Sequence, residues 1–215
     1  MTIWLWLALL APAQEKSPPP RHPWASWKPG THVRYRVTQE NDSGGGTGGI
    51  KTEERVTSTL LKVDKTGVFI ATTFVSENEN GLLEERETLP EKAGEETLPL
   101  MGKRWDCVIW KSEVTKGNWK SERRVWIPKN GDVPLKIVGY DFDGAATQID
   151  EIVETGGKKH RCVRLEGTLG KYYPGTAVLW CSSAVPGGLV RKKVTAAGRC
   201  DRIQVEWELL KFEAD

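Results

Sequence analysis

RIQVEWELLKFE, residues 202–213, carries the pattern that decides the fold. In its first eight residues, apolar side chains alternate with charged or amide side chains. The apolar series is Ile203, Val205, Trp207 and Leu209. A period of two is typical of a β-strand with one buried face. VRYRV at 33–37 alternates in the same way, and no sustained 3.6-residue apolar period occurs in the chain. The sequence therefore predicts a mainly β protein.

An internal repeat indicates how the strands are arranged. GKRWDCV at 102–108 matches GKKHRCV at 157–163, with Gly, Lys, Cys and Val offset by 55 positions. Further along, Trp126 and Trp180 are offset by 54, and two Val-Pro pairs by 52. Two similar pieces within one sheet leave such a pattern. We therefore predict a curved antiparallel sheet or half-barrel, built partly from a duplicated meander at about 96–150 and 151–212.

Two further segments carry local signals. RVTSTLLKVD and GVFIATTFVSE flank Lys65 and Thr66, and together with the turn residues Asp64 and Gly67 they predict a β-hairpin. ENENGLLEERETLPEKAGEE, residues 77–96, is highly charged. It is expected to form a long loop or the only short helix.

The N-terminal residues predict export. Ile3–Leu10 is a short apolar run, and Ala11–Ala13 has the small-x-small form of a signal-peptidase site. The run is too short to span a bilayer, which needs about 20 apolar residues. We predict a signal peptide at 1–13, a Pro-rich tether at 14–23 and a single β domain at 24–215. The protein is then exported, periplasmic or extracellular, with no transmembrane span in the mature chain.

Composition and motifs limit the function classes. The 31 basic and 29 acidic residues are spread along the chain and leave a net charge of +2, so no nucleic-acid partner is expected.

No G-x-S-x-G or H-E-x-x-H motif occurs. Asp141 and Asp143 resemble part of a calcium loop, but the other ligands are missing and Asp143-Gly144 is a turn signal. We predict no catalytic residue, metal site or cofactor; an enzyme with carboxylates dispersed in sequence stays open.

The four cysteines favour disulfides, because they are even in number in an exported chain. Residues 159–182 read as two strands joined by a turn at 170–175, which brings Cys162 opposite Cys181 to within one residue. We predict a disulfide between these two. A slip of one residue would place the sulfurs on opposite faces. Cys107 and Cys200 are left over, and their pairing stays open.

Tryptophan is the abundant aromatic residue and has two interpretations. On strongly alternating strands, as for Trp126, Trp180 and Trp207, it is expected in the core. Trp110 and Trp119 flank a probable turn at 116–118 and are better candidates for exposure. If the protein uses aromatic side chains for ligand binding, the candidates are Trp110, Trp119, Trp126 and Trp180.

VWIPKNGDVPLKIVGYDFDGAATQIDEI, residues 125–152, resembles a hairpin of the LolA-like periplasmic lipoprotein-sorting carriers and related secreted proteins. The matching positions are Trp126, Pro134, Leu135, Asp141 and Gly144, and the second copy is similar around Trp180. In that family an open half-barrel holds acyl chains on its concave apolar face, under helices. This chain has no clear helices to match them.

The resemblance implies an exported, non-enzymatic protein of the cell envelope that binds a lipid or other apolar ligand on a concave sheet face. A lipid or a lipoprotein is then the expected partner. The alternative is a carbohydrate- or protein-binding module that uses exposed Trp, with a polysaccharide among its ligands.

Overall fold

The computed structural model describes residues 22–42, 50–76, 80–169, 174–197 and 202–213. The predicted signal peptide and most of the tether lie outside these ranges. The described residues form thirteen strands and no helix. The strands are β1 (His32–Asp42), β2 (Ile50–Asp64), β3 (Gly67–Val75), β4 (Asn80–Glu87), β5 (Glu91–Leu100), β6 (Lys103–Lys116), β7 (Trp119–Pro128), β8 (Lys136–Val138), β9 (Asp143–Thr155), β10 (Lys158–Thr168), β11 (Gly175–Cys181), β12 (Leu189–Ala197) and β13 (Arg202–Glu213).

All thirteen strands belong to one antiparallel sheet that closes on itself. Its order runs β4, β3, β2, β1, β13 and then β12 down to β5. A short ladder from Glu85↔Lys116 to Glu87↔Val114 joins β4 to β6 and closes the ring. β5 pairs only with β6 and lies outside the ring, so twelve strands form the barrel. The predicted mainly β fold with a curved antiparallel sheet is confirmed.

Alternation on β1 and β13 explains which side of the sheet is buried. Val33, Tyr35 and Val37 are at most 6% exposed, whereas the intervening Arg34 is exposed. Trp207 on β13 lies directly opposite Val37, so the apolar series of β13 belongs to the same side. We call this side of the sheet the inner face and the other side the outer face. Burying a Val or Leu side chain stabilises a fold by about 1.5–3 kcal/mol, which is why these strands adopt this register.

The hairpin predicted around Lys65 and Thr66 is confirmed as β2 and β3. Asp64 pairs with Gly67, and Oδ1 of Asp64 accepts hydrogen bonds from the backbone N–H of Thr66 at 2.8 Å and from its hydroxyl at 2.6 Å. Gly67 has φ +146°, and a Cβ there would lie 2.3 Å from the carbonyl oxygen of Glu87. The turn therefore requires glycine because it touches the end of β4.

Most of residues 77–96 differ from the prediction, since they form β4 and part of β5 rather than a loop or a helix. The charged residues of β4 alternate: Glu84 and Arg86 are exposed, whereas Glu85 and Glu87 lie on the inner face. The inner carboxylates form ion pairs with cations on β6 and β7. These partners lie more than 30 residues further along the chain, which is why local sequence did not indicate a strand.

The two copies of the repeat occupy equivalent places in the sheet. Each contains a two-residue hairpin turn in which both residues have positive φ, at Met101–Gly102 and at Gly156–Gly157. The next strand, β6 or β10, carries a buried cysteine, Cys107 or Cys162. Each copy then continues through one more strand and a Val-Pro loop to β8 or β12.

Two hydrophobic clusters fill the molecule. The first lies under β1, β2, β3 and β13 and includes Leu60 and Leu209, each at most 1% exposed. The second joins β5 to β11 and includes Leu135 and Leu165, each at most 2% exposed. No helix among the described residues is long and apolar enough to cross a membrane.

The segment that precedes β1 is part of the packed domain. Trp24 belongs to the first cluster, and His22, which the sequence assigned to the tether, is only 5% exposed. The backbone N–H of Gly30 donates to the carbonyl of Leu60, and Thr31 accepts from the N–H of Leu60. The packed domain therefore includes His22 and does not begin at Trp24.

Candidate functional site

As far as the described residues show, one end of the barrel is packed and the other is open. On the inner face of β2, Leu60 and Val56 are 0% exposed, Glu54 is half-buried and Ile50 is 69% exposed. Because neighbouring strands alternate in direction, the β1–β2, β6–β7 and β8–β9 connections all lie at the end of Ile50. We call this the open end. At the other end, residues 22–31 pack against β2 and against the loop that contains Gly187.

Charged side chains line the inner face between the two ends. Nζ of Lys116 lies 2.9 Å from a carboxylate oxygen of Glu85, and the guanidinium of Arg123 lies 2.8 Å from Glu87. Both pairs connect β4 to the wall formed by β6 and β7. Each inner carboxylate of β4 therefore has a cationic partner, as a charge in a protein interior requires.

Glu87 is the centre of a buried hydrogen-bond network. It accepts hydrogen bonds from Arg123, from the Ser112 hydroxyl at 2.5 Å and from Nε2 of His22 at 3.0 Å. Nδ1 of His22 accepts from the backbone N–H of Trp24, so the proton of the imidazole is on Nε2. Burial acts to raise the pKa of Glu87, but Arg123 and the hydrogen bonds from His22 and Ser112 outweigh it and bring the pKa to about 2.

This network has the composition of a catalytic triad but not its geometry. The hydroxyl of Ser112 donates to Glu87, not to His22, and therefore no base activates it. All three side chains are at most 7% exposed. The network ties β4, β6 and β7 to the N-terminal segment.

Asp141 and Lys192 are two further charged residues that interact with this group; Lys192 is half-buried and Asp141 is exposed. Lys192 is on the inner face of β12, opposite Leu179 and Trp207, and Asp141 is in the loop that leads into β9. Burial acts to raise the pKa of Asp141, but Arg123, Lys116 and Lys192 outweigh it and lower the pKa. Burial lowers the pKa of Lys192, against the opposing effect of Asp141.

The two charges influence each other across part of the ring. Asp141 lies between β8 and β9, and two strands, β10 and β11, separate β9 from β12. Within the part of the chain that the structure describes, neither the Asp141 carboxylate nor the Lys192 ammonium forms a direct ion pair. The side chain of Asp141 is exposed, and the cations around it hold its pKa below the ordinary value.

An aromatic pair stands beside these charges at the open end. Trp119 follows the β6–β7 turn, is 49% exposed, and has its ring centroid 4.3 Å from that of Tyr140 at an interplanar angle of 52°. Tyr140 directly precedes Asp141 in the β8–β9 loop. Of the four Trp residues predicted to bind a ligand, Trp119 is thus the one with an exposed ring.

The other three candidates are buried. Trp110 is 8% exposed on β6. Trp126 is 7% exposed, donates a hydrogen bond of 2.6 Å to Glu96 and lies under Nζ of Lys136. Trp180 is 8% exposed and has the guanidinium groups of Arg164 and Arg191 at 5.7 and 5.6 Å from its ring centroid. These three rings serve packing, and the core interpretation of Trp126 and Trp180 agrees with their burial.

The predicted Cys162–Cys181 disulfide is absent from this structure, in which both residues are free thiols. β10 and β11 do form neighbouring antiparallel strands, but Val163 lies opposite Cys181. This register is one residue from the predicted one, so the two cysteine side chains point to opposite faces of the sheet. Cys107 is free as well. Cys200 lies outside the described residues.

Two grooves on the outer face were not indicated by the sequence. One of about 680 Å³ is lined by Arg34, Arg55 and Lys211 among others, and one of about 430 Å³ lies beside it across β12 and β13. Their cations are largely engaged: Arg191 pairs with Glu206, and Arg36 lies 3.4 Å from a carboxylate oxygen of Glu208. These contacts are cross-strand ion pairs of an exposed sheet surface. Among the described residues, no group of three or more His, Cys, Asp or Glu side chains could hold a metal ion.

Comparison with known proteins adds a structural similarity. No family model matches the chain, and no curated protein matches it by sequence. The barrel is similar to the crystal structure of a Bacteroides fragilis protein that is proposed to be exported and has a YmcC-like fold. The two chains are 10% identical; the similarity covers 87% of this chain and 97% of the other, with a TM-score of 0.43.

Proposed function

We propose that the protein is an exported, non-enzymatic binding protein of the cell envelope that takes an amphipathic ligand, such as a lipid or the acyl group of a lipoprotein, into the open end of its barrel. The observation that carries the proposal is the gradient along the inner face of β2, from fully buried Leu60 to Ile50 at 69% exposure. A barrel packed from end to end would bury Ile50. The gradient instead leaves the inner face near Ile50 accessible from one end.

The half of the barrel near the open end offers both the apolar and the polar side chains that an amphipathic ligand needs. Half-buried apolar side chains continue the inner face toward the open end. They are Phe74, Val194, Ile203, Val205 and Trp207. Lys192 supplies a charged group on the same inner face, and Asp141 supplies one in the exposed β8–β9 loop at the open end. Pockets that bind small molecules are mostly apolar with a few placed polar groups, and this region has that composition.

Export and the absence of catalysis are parts of the same proposal. Export is supported by the apolar run Ile3–Leu10 and the small residues Ala11–Ala13, which lie outside the described residues. A non-enzymatic role is supported by the burial of His22 and Ser112, which leaves them out of reach of a substrate.

Binding of a fluorescent fatty acid tests the proposal, with two matched variants of the full chain. Ile50 and Leu82 are similarly exposed, at 69% and 64%, but Ile50 is on the inner face and Leu82 on the outer face. Ile50→Glu should weaken binding of the probe at least tenfold, whereas Leu82→Glu should change it less than twofold. Equal effects of the two variants, or no binding by the unaltered protein, would refute the proposal. Native mass spectrometry of protein from its own host should also detect a bound amphiphile.

A second candidate function is a carbohydrate-binding module. It is favoured by the exposed ring of Trp119 and its contact with Tyr140. Retardation on polysaccharide gels that Trp119→Ala abolishes, without binding of the fatty acid, would support this candidate over the first.

A further inference from the structure

The geometry points to a further ligand site on the outer face of the barrel, where Arg34 and Arg55 bind the phosphate group of a phosphate ester. The site is the larger of the two outer grooves, with a volume of about 680 Å³, and it lies across β13, β1, β2 and the end of β3. The sheet separates this groove from the inner face. The inference therefore goes beyond the proposed function and does not depend on it.

The first argument is that like charges lie opposite each other twice in this groove. Arg36 on β1 lies directly opposite Arg55 on β2. Arg34 on β1 lies directly opposite Lys211 on β13. Like charges in such positions destabilise a sheet. Among the described residues that line the groove, four are cations and one, Glu53, is an anion. A bound anion would relieve the repulsion in both pairs at once.

The second argument is that two of the four cations have no direct partner within the described ranges. Arg36 and Lys211 have carboxylate partners on β13. Arg34 and Arg55 are exposed and form neither an ion pair nor a side-chain hydrogen bond in the part of the chain that the structure describes. Of the groups that lower the pKa of Glu213, Lys211 has the largest effect and Arg34 the smallest, so this carboxylate belongs to Lys211.

The two free arginines are placed to act on the same group. Thr57 lies opposite Arg34, and Arg55 lies two residues before Thr57 on the same face of β2. Such diagonal neighbours have Cβ atoms about 7–8 Å apart, which is within reach of long side chains. Both guanidinium groups can therefore contact one anion between them. Thr57 lines the same groove and can donate a hydrogen bond from its hydroxyl.

The chemistry and size of the groove favour a phosphate ester. A guanidinium donates two parallel hydrogen bonds to an oxyanion, and a phosphate has enough oxygen atoms to accept from two guanidinium groups at once. Val75, which is 51% exposed, and Leu210 border the same groove. Pockets of about 300–1,000 Å³ hold small organic ligands rather than single ions. The organic part of the ester is therefore expected to contact Val75 and Leu210.

Titration of the isotope-labelled full chain at low salt, followed by NMR, tests the inference. The probes are phenyl phosphate, benzoate and inorganic phosphate. Phenyl phosphate should bind at least ten times more tightly than the other two, with chemical-shift changes on β1, β2 and β13 around the groove. Equal affinity for benzoate would overturn the inference, because charge alone would explain the binding. Equal affinity for inorganic phosphate would also overturn it, because the organic part would then make no contact.

Three variants and one control locate the site. Arg34→Gln and Arg55→Gln should each weaken binding of phenyl phosphate at least tenfold. Glu53→Gln removes the anion of the groove and should tighten binding at least twofold. Arg104→Gln is the control, because Arg104 is exposed on β6, away from the groove, and it should change the affinity less than twofold. Unchanged binding in any of the first three variants would overturn the inference.

Two further measurements separate this site from the fold and from the inner ligand site. Because Arg55 lies opposite Arg36, Arg55→Gln should leave the melting temperature unchanged or raise it. A lower melting temperature would mean that Arg55 serves the fold and would overturn the inference. Binding of the fluorescent fatty acid should be unchanged in Arg34→Gln and Arg55→Gln, so that this inference and the proposed function fail independently.

Sedimentation with lipid vesicles identifies the source of the phosphate. The vesicles contain phosphatidylcholine, with or without phosphatidic acid. Sedimentation that requires phosphatidic acid and that Arg55→Gln abolishes would identify a lipid head group. Binding of phenyl phosphate without sedimentation would identify a soluble phosphate ester.

Discussion

The guanidinium of Arg123 donates a hydrogen bond of 2.8 Å to Oε2 of Glu87 on the inner face of the barrel. Arg123 is on β7. Glu87 is the last residue of β4 and lies next to the short ladder that closes the sheet. Only three residue pairs form that ladder, and the Arg123–Glu87 pair adds a contact between β4 and β7 beside it. The buried pair is therefore a structural element of the barrel as well as a boundary of the candidate site.

Replacing Glu87 by Gln should destabilise the protein strongly. The change leaves Arg123 without its carboxylate, and breaking a buried ion pair costs about 3–5 kcal/mol. Denaturant unfolding of Glu87→Gln should show this loss. Glu113→Gln is the matched control, because Glu113 forms an exposed pair with Lys120, and it should cost less than about 1 kcal/mol. Similar losses in the two variants would contradict the role of the buried pair.

The same carboxylate should make stability depend on pH. Its pKa of about 2 in the folded state is below the ordinary 4.5, so Glu87 stabilises the fold at pH values above 4.5. That contribution is lost as the pH falls from 4.5 toward 2 and amounts to about 3 kcal/mol. The difference in free energy of unfolding between the unaltered protein and Glu87→Gln should thus shrink as the pH falls through this range. A difference that stays constant from pH 6 to pH 2 would contradict this assignment.

His22 should contribute to stability although it precedes the first strand. Its imidazole is 5% exposed and connects the backbone of Trp24 to Glu87. His22→Ala leaves the backbone N–H of Trp24 without this partner, at about 1–3 kcal/mol, and removes one of the three donors to Glu87. Lys28→Ala, in the same segment but exposed, should leave the melting temperature unchanged. If both variants melt as the unaltered protein does, the segment is not an anchored part of the domain.

The sequence was sufficient where a local pattern determines the structure. β1 and β13 were predicted because each buries one face, and a buried face imposes a period of two on the side chains. β4 was missed because Glu85 and Glu87 bury their charges against Lys116 and Arg123, and local sequence does not contain these partners.

The candidate site was less predictable for the same physical reason. Lys192 and Lys193 are adjacent, and only the pairing of Lys192 with Trp207 shows which of them points inward. The sequence places Asp141 in a turn, and it does lie in the β8–β9 connection, but Asp143 and Gly144 of the turn signal are the first residues of β9. The turn signal does not indicate the neighbours of the Asp141 carboxylate. The nearby turn correctly predicts that Trp119 is exposed. The same prediction is wrong for Trp110, which lies on the other side of the turn and is buried.

Gly156 should tolerate alanine much less well than its neighbour Gly157. Both have positive φ, +57° and +71°, which costs a non-glycine residue about 1–2 kcal/mol. A Cβ on Gly156 would also lie 2.1 Å from the carbonyl oxygen of Leu210, whereas one on Gly157 has nothing within 4 Å. Gly157→Ala thus measures the backbone cost alone. Gly156→Ala should lower the free energy of unfolding by clearly more; equal losses would mean that the β9–β10 turn does not pack against β13 as described.

Cys162 and Cys181 should remain reduced and react slowly in the folded protein. Burial raises the pKa of Cys162 to about 11, with a further contribution from Glu151, and burial raises the pKa of Cys181 to about 12, with a further contribution from Cys162. Since the thiolate is the reactive form, a thiol with such a pKa is ionised at pH 8 to about 0.1% or less. Alkylation of both residues at pH 8 should be at least 100-fold slower in the folded protein than in urea, which is the control.

Peptide mapping without reduction should find no peptide that links Cys162 to Cys181. Such a linked peptide would mean that β10 and β11 pair one residue away from the register in which Val163 lies opposite Cys181.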